Sequence, residues 1–484
     1  MNRVAPIFAA FGALVLATSA QAWEADTTHA GLTEQSAVSS KLHERLLDQF
    51  GAKLGLYTPL TIPPKDAPAL FEVIGQLNPT HGYAPDGRGQ QSAVAWIVAG
   101  SVVADMPVAA ARNHFFDPSS GAGLSIGGNL PGSFAGKRAA LAHVDDDGAI
   151  PAPGWITSND NPLSVDGFHE QYRKAVTSRT QGERDRHLAG ALLAAGAVLH
   201  VLQDMGSPSH VRNDFGAHLG SLSDDDTDVG SRFERITALA YGRLGVPAPA
   251  RTVSAVKLGD LFATDKGGGL AHWTASRFFS AGTLPKAIEL DVGARAAEIG
   301  IKLASSLGLP NPAPLASGLD LIRAARSGGA TLAGADGTCI ARYAVANRHL
   351  SWSIDDDCAL EQAGVILPEV SAYSAGALDF LFRGTLALSK RDGGGVVVSA
   401  GDSALGAGNV TVLWDDATGV RTELVAMTST TGGTVGATLA TAKKLPAGTA
   451  RVAALFDGVD ANGERVVAAG LLDLASSDTP FGAE

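Results

Sequence analysis

The chain has 484 residues, long enough for two domains, and is 45 % hydrophobic and 18 % charged, proportions that exclude a disordered chain. A formal net charge of −12 argues against broad nucleic-acid binding, which needs a basic surface, although a local basic groove stays open. The 58 glycines point to close helix packing rather than to a function.

Residues 1–22 read as a removable leader. Arg3 gives a positive start, Pro6 to Ala17 is apolar, and Ser19-Ala20-Gln21-Ala22 offers a small-x-small cleavage pattern. Cleavage after Ala22 would make Trp23 the first mature residue and place the protein in the periplasm or outside the cell. The alternative is a retained anchor. The apolar run is too short to span a membrane, and no later stretch of about 20 residues is expected to do so.

From residue 23 to about 310 the pattern is mainly helical, broken by long loops. Leu42, Leu46, Leu47 and Phe50 give an amphipathic helix over 39–50, stopped by Gly51. A second helical segment covers 92–112, interrupted near Pro107. Residues 118–165, rich in Gly, Pro, Ser and Asp, read as a long loop. The segment 184–206 is the main helix, with Leu188, Leu192, Leu193, Val198 and Leu199 at helical intervals. Further helices are expected at about 230–244, 268–283, 289–307 and 316–326. An irregular stretch with both cysteines follows, then a helix over 368–388 that Gly384 could end. Cys339 and Cys358 fit one disulfide in an oxidising compartment, and their spacing is not that of a zinc motif. After Lys390 short β-like runs alternate with turns, among them Asn462-Gly463, so residues 390–484 read as a small β-sandwich.

The strongest chemical signal is His200-Val-Leu-Gln-Asp204-Met-Gly-Ser-Pro-Ser-His210. Residues four apart share a helix face, so His200 and Asp204 point the same way. Pro208 breaks the helix and lets His210 turn back toward them. A buried His and Asp on an apolar helix need a partner, and a metal ion supplies one. Upstream lie Trp23-Glu-Ala-Asp-Thr-Thr-His29, then Ala104-Asp105-Met-Pro, then Arg112-Asn113-His114-Phe115-Phe116-Asp117-Pro118. Downstream lies Ser231-Arg-Phe-Glu234. No P-loop is present, and the Gly-x-Ser-x-Gly spacing at Gly123–Gly127 falls in the expected loop and reads as no nucleophile elbow.

Together the mature N-terminal Trp, the Asn-His-Phe-Phe-Asp-Pro box and His-x3-Asp-x5-His resemble the zinc-dependent phospholipase C family, related to the single-strand-specific zinc nucleases. The likeness spans about residues 23–234. Thr274–Pro285 and Tyr373-Ser-Ala-Gly resemble longer bacterial relatives, extending the helical domain to about residue 388. The fold implied is a multi-helical zinc-dependent phospholipase C-like domain over 23–389, followed by the β-module.

The resemblance implies two to three zinc ions. His114, His200 and Asp105 would hold one, and Asp204 would bridge to a second completed by His29 and by the amino nitrogen and carbonyl of Trp23. His210 and Glu234 would hold a third. Imidazoles and carboxylates suit catalytic zinc. The implied reaction is hydrolysis of a phospholipid to diacylglycerol and a phosphorylated headgroup by a zinc-bound hydroxide between ions about 3.5–4 Å apart, with Asp105 orienting the water or acting as general base. A phospholipid or membrane surface is then the expected partner, and the β-module could dock on it or serve stability or secretion.

This chain departs from the family at several points. The usual third-site His, four residues before the Glu, is Gly230 here, so His218 or Asp228 would have to substitute or the third ion would be lost. Spacings from Trp23 to His29 and from Asp105 to His114 differ, and the aromatic headgroup contacts are not evident. Two alternatives follow: a zinc nuclease with the same cluster, and a non-catalytic secreted protein keeping the fold. Glu234 could instead pair with Arg232 or Arg235, Asp105 could cap a helix, and Phe115 and Phe116 read as core. The remaining histidines read as structural.

Overall fold

The computed structural model describes residues 25–75, 86–105, 108–124, 149–218, 232–244, 248–284, 287–289, 330–334, 336–347, 349–401, 405–429, 439–440 and 443–474. The leader, Trp23, Asp228, Gly230 and the expected helix over 316–326 lie outside them. So does the expected helix over 289–307, apart from Glu289, which ends a short strand.

The chain is mainly helical, with antiparallel sheets at its C-terminal end. The helices are α1 Ala30–Ser39, α2 Leu42–Phe50, α3 Pro68–Gly75, α4 Ala93–Val103, α5 Ala152–Trp155, α6 Val165–Thr177, α7 Gln181–Asp204, α8 Pro208–Val211, α9 Phe215–His218, α10 Arg232–Leu244, α11 Leu270–Ala275 and α12 Asp356–Leu381. Gly51, in the left-handed region at φ 64°, ends α2 as the sequence suggests. Six of these helices go unread in the sequence: α1, α3, α5, α6, α8 and α9. The mixed burial of α6 carries Phe168, Tyr172 and Val176 into the core, and Ser164 caps it by accepting from the Gly167 N–H at 3.3 Å.

Helix α7 is the axis of the helical region. Thr180 and Glu183 form a reciprocal capping box at its start. From Leu188 to Asp204 every residue is buried, because α4, α6 and α12 pack around it. By length and composition α7 could cross a membrane, contrary to the expectation that no such stretch follows the leader. Its apolar window lies wholly inside the fold. The tightest contact is with α4. A Cβ on Gly196 would overlap the Ile97 carbonyl, and one on Gly100 would overlap that of Leu193. Only glycine allows the two backbones to come this close.

The cysteine region is sheet rather than irregular. After a short ladder of β1 Pro59–Thr61 with β2 Gln90–Ser92, strands β3 Ile288–Glu289, β4 Ala330–Ala333, β5 Cys339–Ala346 and β6 His349–Ser353 pair in the order β3-β6-β5-β4. The Cys339–Cys358 disulfide ties β5 to the first turn of α12. That helix starts twelve residues before the expected 368, capped by Asp355, which accepts from the Cys358 N–H at 2.8 Å. It also ends earlier, at Leu381. Gly384 has φ 84°, and the apolar run beyond it is strand β7 Leu386–Lys390, not helix. Alternation of side chains over 386–390 was the missed cue.

Strand β7 pairs with β8 Val396–Ala400, which also pairs with β11 Leu439–Ala440. A second sheet runs β10 Arg421–Ser429, β9 Leu405–Asp415, β12 Arg451–Asp460, β13 Arg465–Asp473. Val396, Val398, Val410, Val412, Val452 and Phe456 share a core between these sheets, which makes a small sandwich. The opposite face of the larger sheet is not free. Leu413, Ala453, Leu455, Val467 and Ala469 belong to the same core as the helices. Arg421 joins Asp415 in a buried pair and reaches across to the Val176 carbonyl of α6 at 2.6 Å. Arg184 of α7 donates to the Gly419 carbonyl at 3.0 Å.

Candidate metal centre

Eight side chains converge at the C-terminal end of α7. His29 closes a single π-helical turn, Ala25–His29, that leads into α1. Asp105 follows α4, and His114 ends a 3-10 segment, Val108–His114. His200 and Asp204 lie one turn apart on α7. Pro208 stands at the first position of α8, where its missing N–H costs nothing, and this reversal returns His210 toward α7. His218 ends α9, and Glu234 stands in the first turn of α10. Each of the eight is at most 2 % exposed.

Asp204 is the hub. Its Oδ1 lies 3.3 Å from His29 Nε2, and its Oδ2 lies 3.0 Å from His114 Nδ1 and 3.4 Å from His200 Nε2. Asp105 Oδ1 is 3.2 Å from His114 Nδ1 and 3.3 Å from His200 Nε2. His29, His200 and Asp204 form one group, and Asp105, His114 and His200 another, with the donor atoms of each within 4.8 Å of one another. The rings of His29 and His200 stack at 3.8 Å.

The second assembly lies alongside. His210, His218 and Glu234 also bring their donor atoms within 4.8 Å. His210 Nε2 is 3.9 Å from Glu234 Oε1, and His218 Nδ1 is 3.5 Å from Oε2. Ser207 and Ser209 hydroxyls donate to Glu234 Oε1 at 2.7 and 3.0 Å. Phe115 is core, as read, and its ring stacks on His210 at 4.2 Å.

The structure thus gathers all the described candidates: His29, Asp105, His114, His200 and Asp204 in one cluster, His210 and Glu234 in the other. It adds His218 at the position the sequence leaves open. It also shows residues the sequence did not reveal. His200 Nδ1 donates to the Ser101 carbonyl at 2.6 Å, and His210 Nδ1 donates to the His114 carbonyl at 2.9 Å. A backbone carbonyl can only accept, so these contacts fix the proton on Nδ1 and turn Nε2 toward the carboxylates. His29 Nδ1 meets Gln203 Oε1 at 2.7 Å. No pattern in the sequence announces such contacts, since two of the three acceptors are main chain.

The donor set fits divalent cations. Both carboxylate oxygens of Asp105 and of Asp204, His200 Nε2, His210 Nε2 and His218 Nδ1 are buried outside hydrogen-bond geometry. Leaving such groups unsatisfied costs several kcal/mol per charge. A coordination tetrahedron with arms of about 2.0–2.1 Å has edges of roughly 3.3–3.4 Å, and the nitrogen–oxygen separations around Asp204 and Asp105 are 3.0–3.4 Å.

Without an ion, protons hold the carboxylates together. Burial disfavours charge on His114, but Asp105 and Asp204 outweigh it and raise its pKa to about 9. Burial likewise opposes ionisation of Asp105, yet His200 and His114 hold its carboxyl well below the usual range. His210 differs, because burial and the neighbouring His218 lower it to about 4.

No family model matches this chain, and no curated protein does. Among solved structures it is similar to alpha toxin from Clostridium absonum, with 12 % sequence identity and a TM-score of 0.29 over 94 % of this chain and 96 % of that one. At that score the likeness carries no weight for the site.

Proposed function

We propose that this protein is a secreted zinc-dependent phosphodiesterase that cleaves a phospholipid on the glycerol side of phosphate. The observation that carries the reading is the buried Asp204 carboxylate, with His29 at one oxygen and His114 and His200 at the other. A carboxylate so placed suits two adjacent cations. When bound, such ions lower the pKa of water and offset charge on phosphoryl oxygens.

The protein's own residues have separable roles. His114, His200 and Asp105 hold one side of Asp204, and His29 holds the other. By the family resemblance, Trp23 would add its amino nitrogen and carbonyl to the His29 side if the leader is cut after Ala22. Asp105 engages both imidazoles through Oδ1, which leaves Oδ2 to orient the attacking water or take its proton. His210, His218 and Glu234 would hold a third ion, with His218 taking the role for which the family resembled uses a different position. The hydroxyls of Ser207 and Ser209 keep Glu234 turned toward the pair. The anionic surface implied by a net charge of −12 favours a lipid over a polyanionic nucleic acid.

The test is zinc content of the mature protein measured with hydrolysis of phosphatidylcholine vesicles and of single-stranded DNA. Two or three zinc ions with release of diacylglycerol support the reading. Cleavage of DNA alone would assign the nuclease reading instead, and fewer than two zinc ions per chain would leave a non-catalytic protein.

A further inference from the structure

We infer that Gln203 is a positioning residue of this metal centre, setting the ring orientation and proton position of His29. The inference rests on the reading of the cluster as a metal site and goes beyond its ligands.

His200 and His210 take their orientation from main-chain carbonyls. Among the described hydrogen bonds His29 differs, because its Nδ1 partner is a side chain, Gln203 Oε1 at 2.7 Å. Gln203 is fully buried. Its amide nitrogen donates to Thr33 Oγ1 at 3.0 Å, and its amide oxygen faces His29. With oxygen there, Nδ1 must carry the proton and Nε2 presents its lone pair toward Asp204 Oδ1, 3.3 Å away. Reversed, the amide would demand the opposite tautomer and put a proton where an ion must bind.

Position in the chain adds a second argument. Gln203 and Asp204 are consecutive on α7, and both engage His29, one at each ring nitrogen. Thr33 lies one turn beyond His29 on α1. Gln203 therefore ties the N-terminal helix and its histidine to the helix carrying the bridging carboxylate. Because the link is a side chain, it can be altered without moving the main chain, unlike the contacts of His200 and His210. Partners of ligating histidines typically contribute about 10–100-fold to metal affinity.

The test compares the mature wild-type protein with Gln203→Leu and Gln203→Glu. The metal-free forms are titrated with zinc against a chromophoric chelator, and the absorption spectrum of the cobalt-loaded forms is recorded. We expect Gln203→Leu to weaken one bound zinc by about 10–100-fold, to change the cobalt spectrum, and to leave the other ions unchanged. Gln203→Glu, which keeps an acceptor at the same reach, should restore binding and spectrum. Equal zinc affinity and an unchanged spectrum in Gln203→Leu would overturn the inference. So would a Gln203→Glu protein as weak as the leucine variant, because the loss would then be one of packing. Failure of the wild type itself to bind zinc would instead bring down the proposed function, and this inference with it.

Discussion

The two ligand assemblies solve the same electrostatic problem in different ways. Around Asp204 the donors come from elements spread between His29 and Asp204, and one carboxylate touches three imidazoles. The trio of His210, His218 and Glu234 comes from residues 210–234, and its carboxylate is held by two serine hydroxyls. The first depends on how α4 and α7 pack, and the second on how α8, α9 and the first turn of α10 meet. The first is therefore expected to fail as a unit, the second alone.

The sharpest way to break this contrast is Asp204→Asn. Losing the bridging charge should remove zinc from both sides of the residue, which zinc analysis would show as a drop of two ions per chain. Phosphodiesterase activity should fall well beyond the roughly 10–100-fold typical of changes to groups that only support a ligand. Retention of both ions would mean that Asp204 is not shared.

A smaller effect is expected from His218→Ala. Zinc content should fall by one ion, with the Asp204 cluster still loaded and residual activity above that of Asp204→Asn. Loss of every ion would show that the assemblies are not independent.

Packing offers a third approach. Gly196→Ala places a Cβ against the Ile97 carbonyl, so α4 must move away from α7. Overpacking of this kind costs about 1–3 kcal/mol, measurable by urea unfolding. The Ser101 carbonyl that orients His200 would shift with α4, so zinc affinity near Asp204 should weaken while the trio keeps its ion.

The pH dependence gives the mildest contrast. At pH 7 metal-free His114, with its pKa raised to about 9, carries a proton that an entering ion must displace. Apparent zinc affinity at the Asp204 cluster should rise with pH, by about tenfold per unit for one displaced proton, and level off above about 9. His210, lowered to about 4, is already neutral at pH 7 and adds no such slope above that point, whereas His218, where Glu234 outweighs burial and raises the pKa, adds its own. Calorimetry in buffers of different ionisation enthalpy would count the protons released.

Much of the site was legible because its chemistry is local in the chain. His200 and Asp204 were placed on one face by helical periodicity alone, and Pro208 told of the turn that brings back His210. His218 was harder: nothing in the sequence distinguishes it from Asp228, and the contact of α9 with Glu234 is a matter of tertiary path. Gln203 was illegible because its partner, His29, is 174 residues away. In the fold, α6 was hidden by a loop-like composition before it, and β7 by an apolar run that fits helix or strand. The sandwich was readable from alternation and turns, but not its attachment. Residues such as Leu413 and Val467 pack into the helical core, so deleting 390–484 would expose that core. Any role of the module in membrane docking is better sought with substitutions on its exposed faces.

Whether Asp204 lies between two cations decides the chemistry of the whole site. A crystal structure of the mature protein with zinc, with anomalous scattering recorded at the zinc edge, tests it most directly. Two anomalous peaks should flank the Asp204 carboxylate, one beside His29 and one beside Asp105 and His114, with a third among His210, His218 and Glu234. A single peak that Asp204 does not touch, or no peak with the histidines bonded directly to the carboxylates, would contradict it.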